Sequence, residues 1–240
     1  MRTTFTRGIK NRIGRPGPVL LLAAVLFVFW GCGEEPPAIE SSGAPAGQPA
    51  APRDGVIAAV GDSLTAGYRV AEEQAYPALL QQRLDRDGYH LEVINAGISG
   101  ETSSGTLARL DWILTLRPAI IILETGANDG LRGIDPKLTR ENIDRIVTRL
   151  KAEGVVVVLA GMKMIKNLGA PFTREFESLY PDIAARHGVL LIPFFLEGVA
   201  ASRDLNQADG IHPTEAGYRR VVDHIYPFVV EAIGRMKKRP

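Results

Sequence analysis

The residues in this chain best suited to chemistry are a serine, an aspartate–histidine pair, a glycine and an asparagine. Ser63 stands in "GDSLTAGY" (61–68), directly after the apolar run "VIAAV" (56–60). A hydroxyl at such a junction either caps a helix or acts as a nucleophile. The Gly-x-Ser-x-Gly signature of the familiar serine hydrolases does not surround it. A serine hydroxyl is a poor nucleophile near neutral pH. It needs a base in hydrogen-bond reach, and the base needs a partner that fixes its tautomer.

The candidates for that base are His90, His187, His212 and His224. His90 starts an apolar strand-like run, His187 ends a helical one beside Gly188, and His224 lies inside the last helical stretch. All three read as surface or boundary histidines. His212 differs, because it sits in the loop "DGIHP" (209–213) just before a helix, with Asp209 three residues earlier. A turn there either merely shapes the loop or brings the carboxylate onto Nδ1, leaving Nε2 free for Ser63. Acyl transfer also needs donors aimed at the developing oxyanion. Three are available: the Ser63 N–H at a helix N-terminus, the Gly100 N–H and the Asn128 side-chain amide. Gly100 and Asn128 also read as ordinary turn residues, with Thr102 or Ser103 as a helix cap.

These residues must be positioned by the elements around them. From residue 53 onward, short apolar runs alternate with helical periodicity. Strands are predicted at 56–60, 90–96, 119–125, 155–160 and 188–195. Helices are predicted at 75–88, 102–116, 138–154, 172–187 and 214–236. Continuous apolar strands separated by helices point to a doubly wound, five-stranded parallel sheet in an α/β/α sandwich. Ligands of such sheets bind outside the carboxyl ends of the strands. "GDS", "NAGISGETS" (95–103), "GANDG" (126–130) and "DGIHP" all fall on that rim.

Taken together, the four segments resemble those of the SGNH, or GDSL, hydrolase superfamily. "GDSLTAGY" matches its serine block, "NAGISGETS" its glycine block, "GANDGLRG" its asparagine block and "DGIHP" its last block. The similarity runs through most of residues 56–236. Flanking stretches such as "YPALL", "LARL" and "LLIPFF" are similar to the bacterial thioesterase I, lysophospholipase and arylesterase branch. Ala127 stands where glycine is common in that branch.

The resemblance implies a flavodoxin-like fold and a serine esterase acting on acyl or aryl esters, thioesters or lysophospholipids. Ser63, His212 and Asp209 would form its triad, and Ser63, Gly100 and Asn128 its oxyanion hole, with no metal or cofactor required. The alternatives are a carbohydrate O-acetyl esterase and an inactive envelope lipoprotein that binds lipid or carbohydrate. Asp62, Asn95, Glu124 and Asp129 read as structural supports of the rim. Met162 and Met164 read as core, and residues 131–134 as a wall or lid over an acyl chain.

The N-terminal stretch is a different material. Residues 1–18 carry five basic residues and no acid, residues 19–30 are purely apolar, and "GCG" follows. This reads as a secretory signal over residues 1–31, its apolar run too short for the roughly 20 residues of a membrane span. Cys32, the only cysteine, excludes an intrachain disulfide. Its place resembles the lipobox of bacterial lipoproteins, which implies lipidation, although Phe29 stands where leucine is usual. An uncleaved anchor and a plain secretory signal are the alternatives. Residues 32–52, rich in Pro, Ala, Gly and Ser, read as a disordered tether, and residues 53–240 as the hydrolase domain. Without residues 1–31 the chain has 23 basic and 27 acidic residues, a net charge of −4. Such a surface argues against a nucleic-acid partner. The expected location is the periplasmic side of a bacterial envelope, and the oligomeric state is not legible.

Overall fold

The computed structural model describes residues 53–164 and 168–238. Five strands, β1 (Gly55–Gly61), β2 (Leu91–Gly97), β3 (Ile120–Glu124), β4 (Val156–Ala160) and β5 (Leu190–Ile192), form one sheet in the order β2-β1-β3-β4-β5. Every neighbouring pair is parallel. All residues of β3 ("IIILE") and β4 ("VVVLA") are buried, because helices cover both faces of the sheet. The β-branched side chains that dominate these strands suit a pleated surface packed on both sides.

The helices are α1 (Ser63–Ala66), α2 (Tyr76–Arg86), α3 (Ser103–Ala108), α4 (Leu110–Thr115), α5 (Ala127–Leu131), α6 (Pro136–Ala152), α7 (Ala170–His187) and α8 (Glu215–Lys237). One group, α2 and α8, packs together, with α2 against β2 and α8 against β3, β4 and β5. In the other, α6 packs between α3 and α7, and α6 and α7 lie on β4. Sequence pattern and packing agree closely in α6. Asp135 caps it by accepting the Lys137 N–H, Pro136 opens it, and Ile143, Ile146, Val147 and Leu150 form its buried stripe. The expected α/β/α sandwich with a doubly wound parallel sheet is the observed architecture.

The register brings the chemistry to one rim. Val60 pairs with Ala96 on one side and Leu123 on the other, so the chain leaves β1, β2 and β3 at the same level. Strand order reverses between β1 and β3, which is the switch point where a crevice opens. Ser63 follows β1 and Asn128 follows β3, so both border that crevice.

Two elements depart from the sequence reading. The strand expected at 188–195 pairs only over Leu190–Ile192; beyond it the Gly161 carbonyl accepts from the Phe195 N–H and not from residue 194, so the ladder loses register after Pro193. The helix expected at 102–116 breaks at Arg109, which ends α3 and precedes α4. Arg109 is drawn inward. Its guanidinium holds Glu101 at 2.7 and 2.8 Å, and Nη2 also donates to the Ala96 carbonyl at 2.7 Å. Both side chains are largely buried. Removing the cation therefore leaves a carboxylate with only the Thr106 hydroxyl as partner. Arg109→Met should destabilise the fold by about 3 kcal/mol, or roughly 6–12 °C in Tm. Arg109→Met/Glu101→Gln should lose clearly less, measured by thermal unfolding of the two variants.

Candidate active site

Ser63 is the first helical residue of α1, and the cap is Asp62, whose Oδ1 accepts the Leu64 N–H at 2.9 Å. The Ser63 hydroxyl is therefore free for another partner. Its Oγ lies 2.8 Å from His212 Nε2. Asp209 Oδ2 lies 2.9 Å from His212 Nδ1. A carboxylate accepts, so Nδ1 carries the imidazole proton and Nε2 receives the hydroxyl of Ser63.

The loop from 206 to 213 holds this geometry. Asp209 Oδ1 accepts the N–H groups of Ile211 (2.9 Å) and His212 (3.0 Å), closing a turn around its own carboxylate. Gln207 braces the loop from inside. Its N–H donates to the His212 carbonyl, and its side-chain amide donates to the carbonyls of Pro213 and, across to the serine segment, Tyr68. The Tyr68 ring packs on the imidazole with centroids 4.6 Å apart. Gln207 and Tyr68 had no signal in the sequence, because their role depends on two distant loops meeting.

The remaining rim residues converge on the same place. Asn128, in α5, donates an Nδ2 hydrogen to Asp62 Oδ2 at 2.9 Å, which fixes which way the amide faces and leaves its second N–H available. Asp129 accepts the N–H (2.8 Å) and hydroxyl (2.5 Å) of Ser103 and the hydroxyl of Thr139, tying α3, α5 and α6 together. Asn95 accepts the Gly97 N–H at the end of β2, and Thr102 caps α3. Gly100 has φ +80, a left-handed conformation that favours glycine, and its carbonyl accepts from Arg132. The N–H groups of Ser63 and Gly100 donate to no protein group among the described residues.

Ser63, Gly100, Asn128 and His212 line a cleft of about 230 Å³, walled by Leu64, Tyr68, Leu131 and Ile211. Leu131 and Ile211 are 47% and 44% exposed, so an apolar rim surrounds a polar floor. Met162 is core, whereas Met164 is part-buried and packs beside Gly130. A larger cleft of about 460 Å³ along residues 201–210 contains neither Ser63 nor His212. Of the other histidines, His187 bonds Asp144 and His224 bonds the Phe194 carbonyl, both away from Ser63. Among the described residues, no cluster of three or more His, Cys, Asp and Glu side chains is placed to hold a metal ion. Cys32 lies outside the described residues.

The GDSL-like lipase/acylhydrolase family matches residues 59–220, two-thirds of the chain and all four rim segments. The chain belongs to that family. It is a serine hydrolase acting on ester bonds. Among its relatives is Esterase TesA of Pseudomonas aeruginosa, 41% identical over 169 residues that cover 70% of this chain and 84% of the relative. Another is the thioesterase 1/protease 1/lysophospholipase L1 of Escherichia coli, 38% identical over 68% of this chain and 78% of that one. The crystal structure of esterase EstA from Pseudoalteromonas sp., inhibited by monoethylphosphonate, superposes with a TM-score of 0.72 at 32% identity. That match covers 75% of this chain and all of EstA.

Electrostatics separate the acids of this GDSL-family site. Asp209 is opposed by partial burial, but the N–H groups of His212 and Ile211 and the imidazole outweigh it and hold the carboxyl down at about 2. Asp62 and Glu124 are pushed the other way by burial, Glu124 well above the ordinary range. A folded-state value of about 2 for Asp209 lies below its unfolded 3.8. Its contribution to stability is therefore present above about pH 4 and lost as pH falls through about 2. The stability advantage of wild type over Asp209→Asn should shrink across that window, as measured by urea unfolding at stepped pH. A constant difference would show that Asp209 gains nothing from its partners.

Proposed function

We propose that Ser63 is the nucleophile of an esterase, with His212 as general base and Asp209 orienting it. The observation that carries this reading is the continuous relay Ser63 Oγ–His212 Nε2 (2.8 Å) and His212 Nδ1–Asp209 (2.9 Å), opening into a cleft. Ser63 Oγ attacks the acyl carbonyl while its proton passes to Nε2. The N–H groups of Ser63 and Gly100 and the free N–H of Asn128 receive the charge that develops on the carbonyl oxygen. Collapse of the tetrahedral adduct releases the alcohol or thiol, which takes the proton from the imidazolium. Water then gives a proton to Nε2 and attacks the acyl-serine, and the acid departs as Ser63 recovers its hydrogen.

The substrate class follows from the cleft. Leu64, Leu131 and Ile211 favour an acyl chain longer than acetyl, so acyl and aryl esters, thioesters and lysophospholipids fit better than an acetylated carbohydrate. The names of the TesA and Escherichia coli relatives point to the same range of substrates.

We further propose a signal over residues 1–31, lipidation at Cys32, a tether to residue 52 and a hydrolase domain over 53–240, on the periplasmic side of the envelope. Its support is the "GCG" that follows the basic and apolar stretches. Among the described residues, no helix is long and apolar enough to cross a membrane.

The full chain should hydrolyse p-nitrophenyl butyrate in the presence of a chelator. Ser63→Ala should lower kcat by roughly four orders of magnitude or more. An unchanged rate in Ser63→Ala would overturn the mechanism. Butyryl and octanoyl esters should be cleaved with higher kcat/KM than acetyl, and a preference confined to acetyl would favour the carbohydrate deacetylase. In detergent phase separation, wild type expressed in a bacterium should enter the detergent phase and Cys32→Ser should not. Identical partitioning would exclude the lipid anchor.

A further inference from the structure

Glu124, the last residue of β3, is completely buried beneath the turn that carries Ser63. Its Oε2 accepts both the Asp62 N–H at 3.2 Å and the Thr65 hydroxyl at 2.9 Å. Gly61 makes this approach possible, since a Cβ there would stand 2.4 Å from Oε2. The second oxygen, Oε1, is buried and without a hydrogen-bond partner among the described residues. The hydroxyls of Tyr76, from α2, and Tyr218, from α8, are in the same condition.

Asp62 is the ionisable group whose charge acts on Glu124, and Glu124 in turn acts on the buried hydroxyls of Tyr76, Tyr218 and Tyr180 of α7. Two neighbouring carboxylates in such a place do not both ionise. Asp62 is the better anion. It accepts from the Leu64 N–H and the Asn128 amide, and His212 favours its charge. Glu124 has two donors on Oε2 and none on Oε1, and the side-chain hydrogen bond between the two acids favours the charged form of Asp62 and the neutral form of Glu124. An isolated buried charge there would be far more costly than a neutral acid.

We propose that Glu124 is a positioning residue for the nucleophile. As a neutral carboxylic acid, it holds the Asp62 N–H and the Thr65 hydroxyl through Oε2. It thereby leaves Asp62 as the single carboxylate of the pair, available to orient the Asn128 amide toward the cleft. This inference rests on the roles of Ser63 and Asn128 proposed above. It assigns the second acid, which touches no substrate, to keeping the serine turn and one oxyanion donor in place.

The neutrality has a direction in pH. Burial raises the folded-state value of Glu124 above its unfolded 4.5. Its contribution to stability is therefore fully present below that pH and lost as pH rises through the raised value. Ionisation as pH rises through that raised value would place a second charge beside Asp62 and disturb the turn.

The test compares Glu124→Gln and Glu124→Leu in the full chain. Glutamine reproduces the neutral acid, with an oxygen for the two donors and an NH₂ in place of the O–H. Glu124→Gln should keep kcat for p-nitrophenyl butyrate at pH 7 within about fivefold and extend the alkaline limb of the pH profile by about half a unit or more. Glu124→Leu should lose about 100-fold in kcat, with KM changed far less. The infrared difference spectrum between wild type and Glu124→Gln at pH 7 should contain a protonated-carboxyl stretch. A Glu124→Gln loss as large as that of Glu124→Leu, wild-type kcat in Glu124→Leu, or absence of the protonated-carboxyl band would each overturn the proposal. If Glu124→Leu does not fold, the glutamine variant and the infrared band decide. The band is read without turnover and is measurable in a Ser63→Ala background, so it separates a failure of this proposal from a failure of the triad reading.

Discussion

The hydrogen bond between Ser63 and His212 joins residues 149 positions apart, and most of the fold's organisation can be traced to making it possible. A parallel sheet sends every strand's carboxyl end to one rim, so the residue after β1 and the loop before α8 can meet there. Asp209 and His212 are three residues apart and are joined by a turn that uses both oxygens of Asp209. The relay therefore needs only one long-range docking event, the seating of the 206–213 loop against the serine segment. Gln207 provides it, bonded to the loop on one side and to the Tyr68 carbonyl on the other.

A second constraint lies underneath. The turn at Ser63 is built over buried acids, a choice that would be destabilising if both were charged. Asp62 spends its oxygens on Leu64 and Asn128, which links the helix cap to the proposed oxyanion donor. Glu124 supports the same turn from below through one oxygen. The proposed nucleophile, the proposed donor and the cap are thus parts of one buried polar network, and a buried network is stabilising only when its members are satisfied. Two of the three acids near the serine have opposite surroundings: Asp209 is surrounded by donors and held low, while Glu124 is enclosed and held high.

Much of this was legible before any coordinates. The five strands and the long helices follow from apolar periodicity, because their cores are formed by neighbours on the same element. That Ser63, Gly100, Asn128 and His212 meet at one cleft, with Asp209 on His212, was expected from four short segments that each follow a strand or precede a helix. Asp129 was read as a support of the Asn128 loop, and its bonds to Ser103 and Thr139 are of that kind. Arg109 was not legible, since helical periodicity runs straight through it. Its departure depends on the Ala96 carbonyl and Glu101, which approach only after β2 is seated.

Local sequence determined where the chain turns, which stretches are strands or helices, and which side chains have the functional groups proposed for nucleophile, base and donor. Those properties depend on φ/ψ preferences, periodicity and functional groups within a few residues. Tertiary structure alone decided which way those groups face. It set the tautomer of His212 through Asp209 and the orientation of the Asn128 amide through Asp62. It also placed Glu124 under Asp62, where burial beside another acid raises its pKa. Hydrogen-bond direction and charge state depend on distant partners and on exclusion of water, and neither exists until the sheet and its helices have closed around the site.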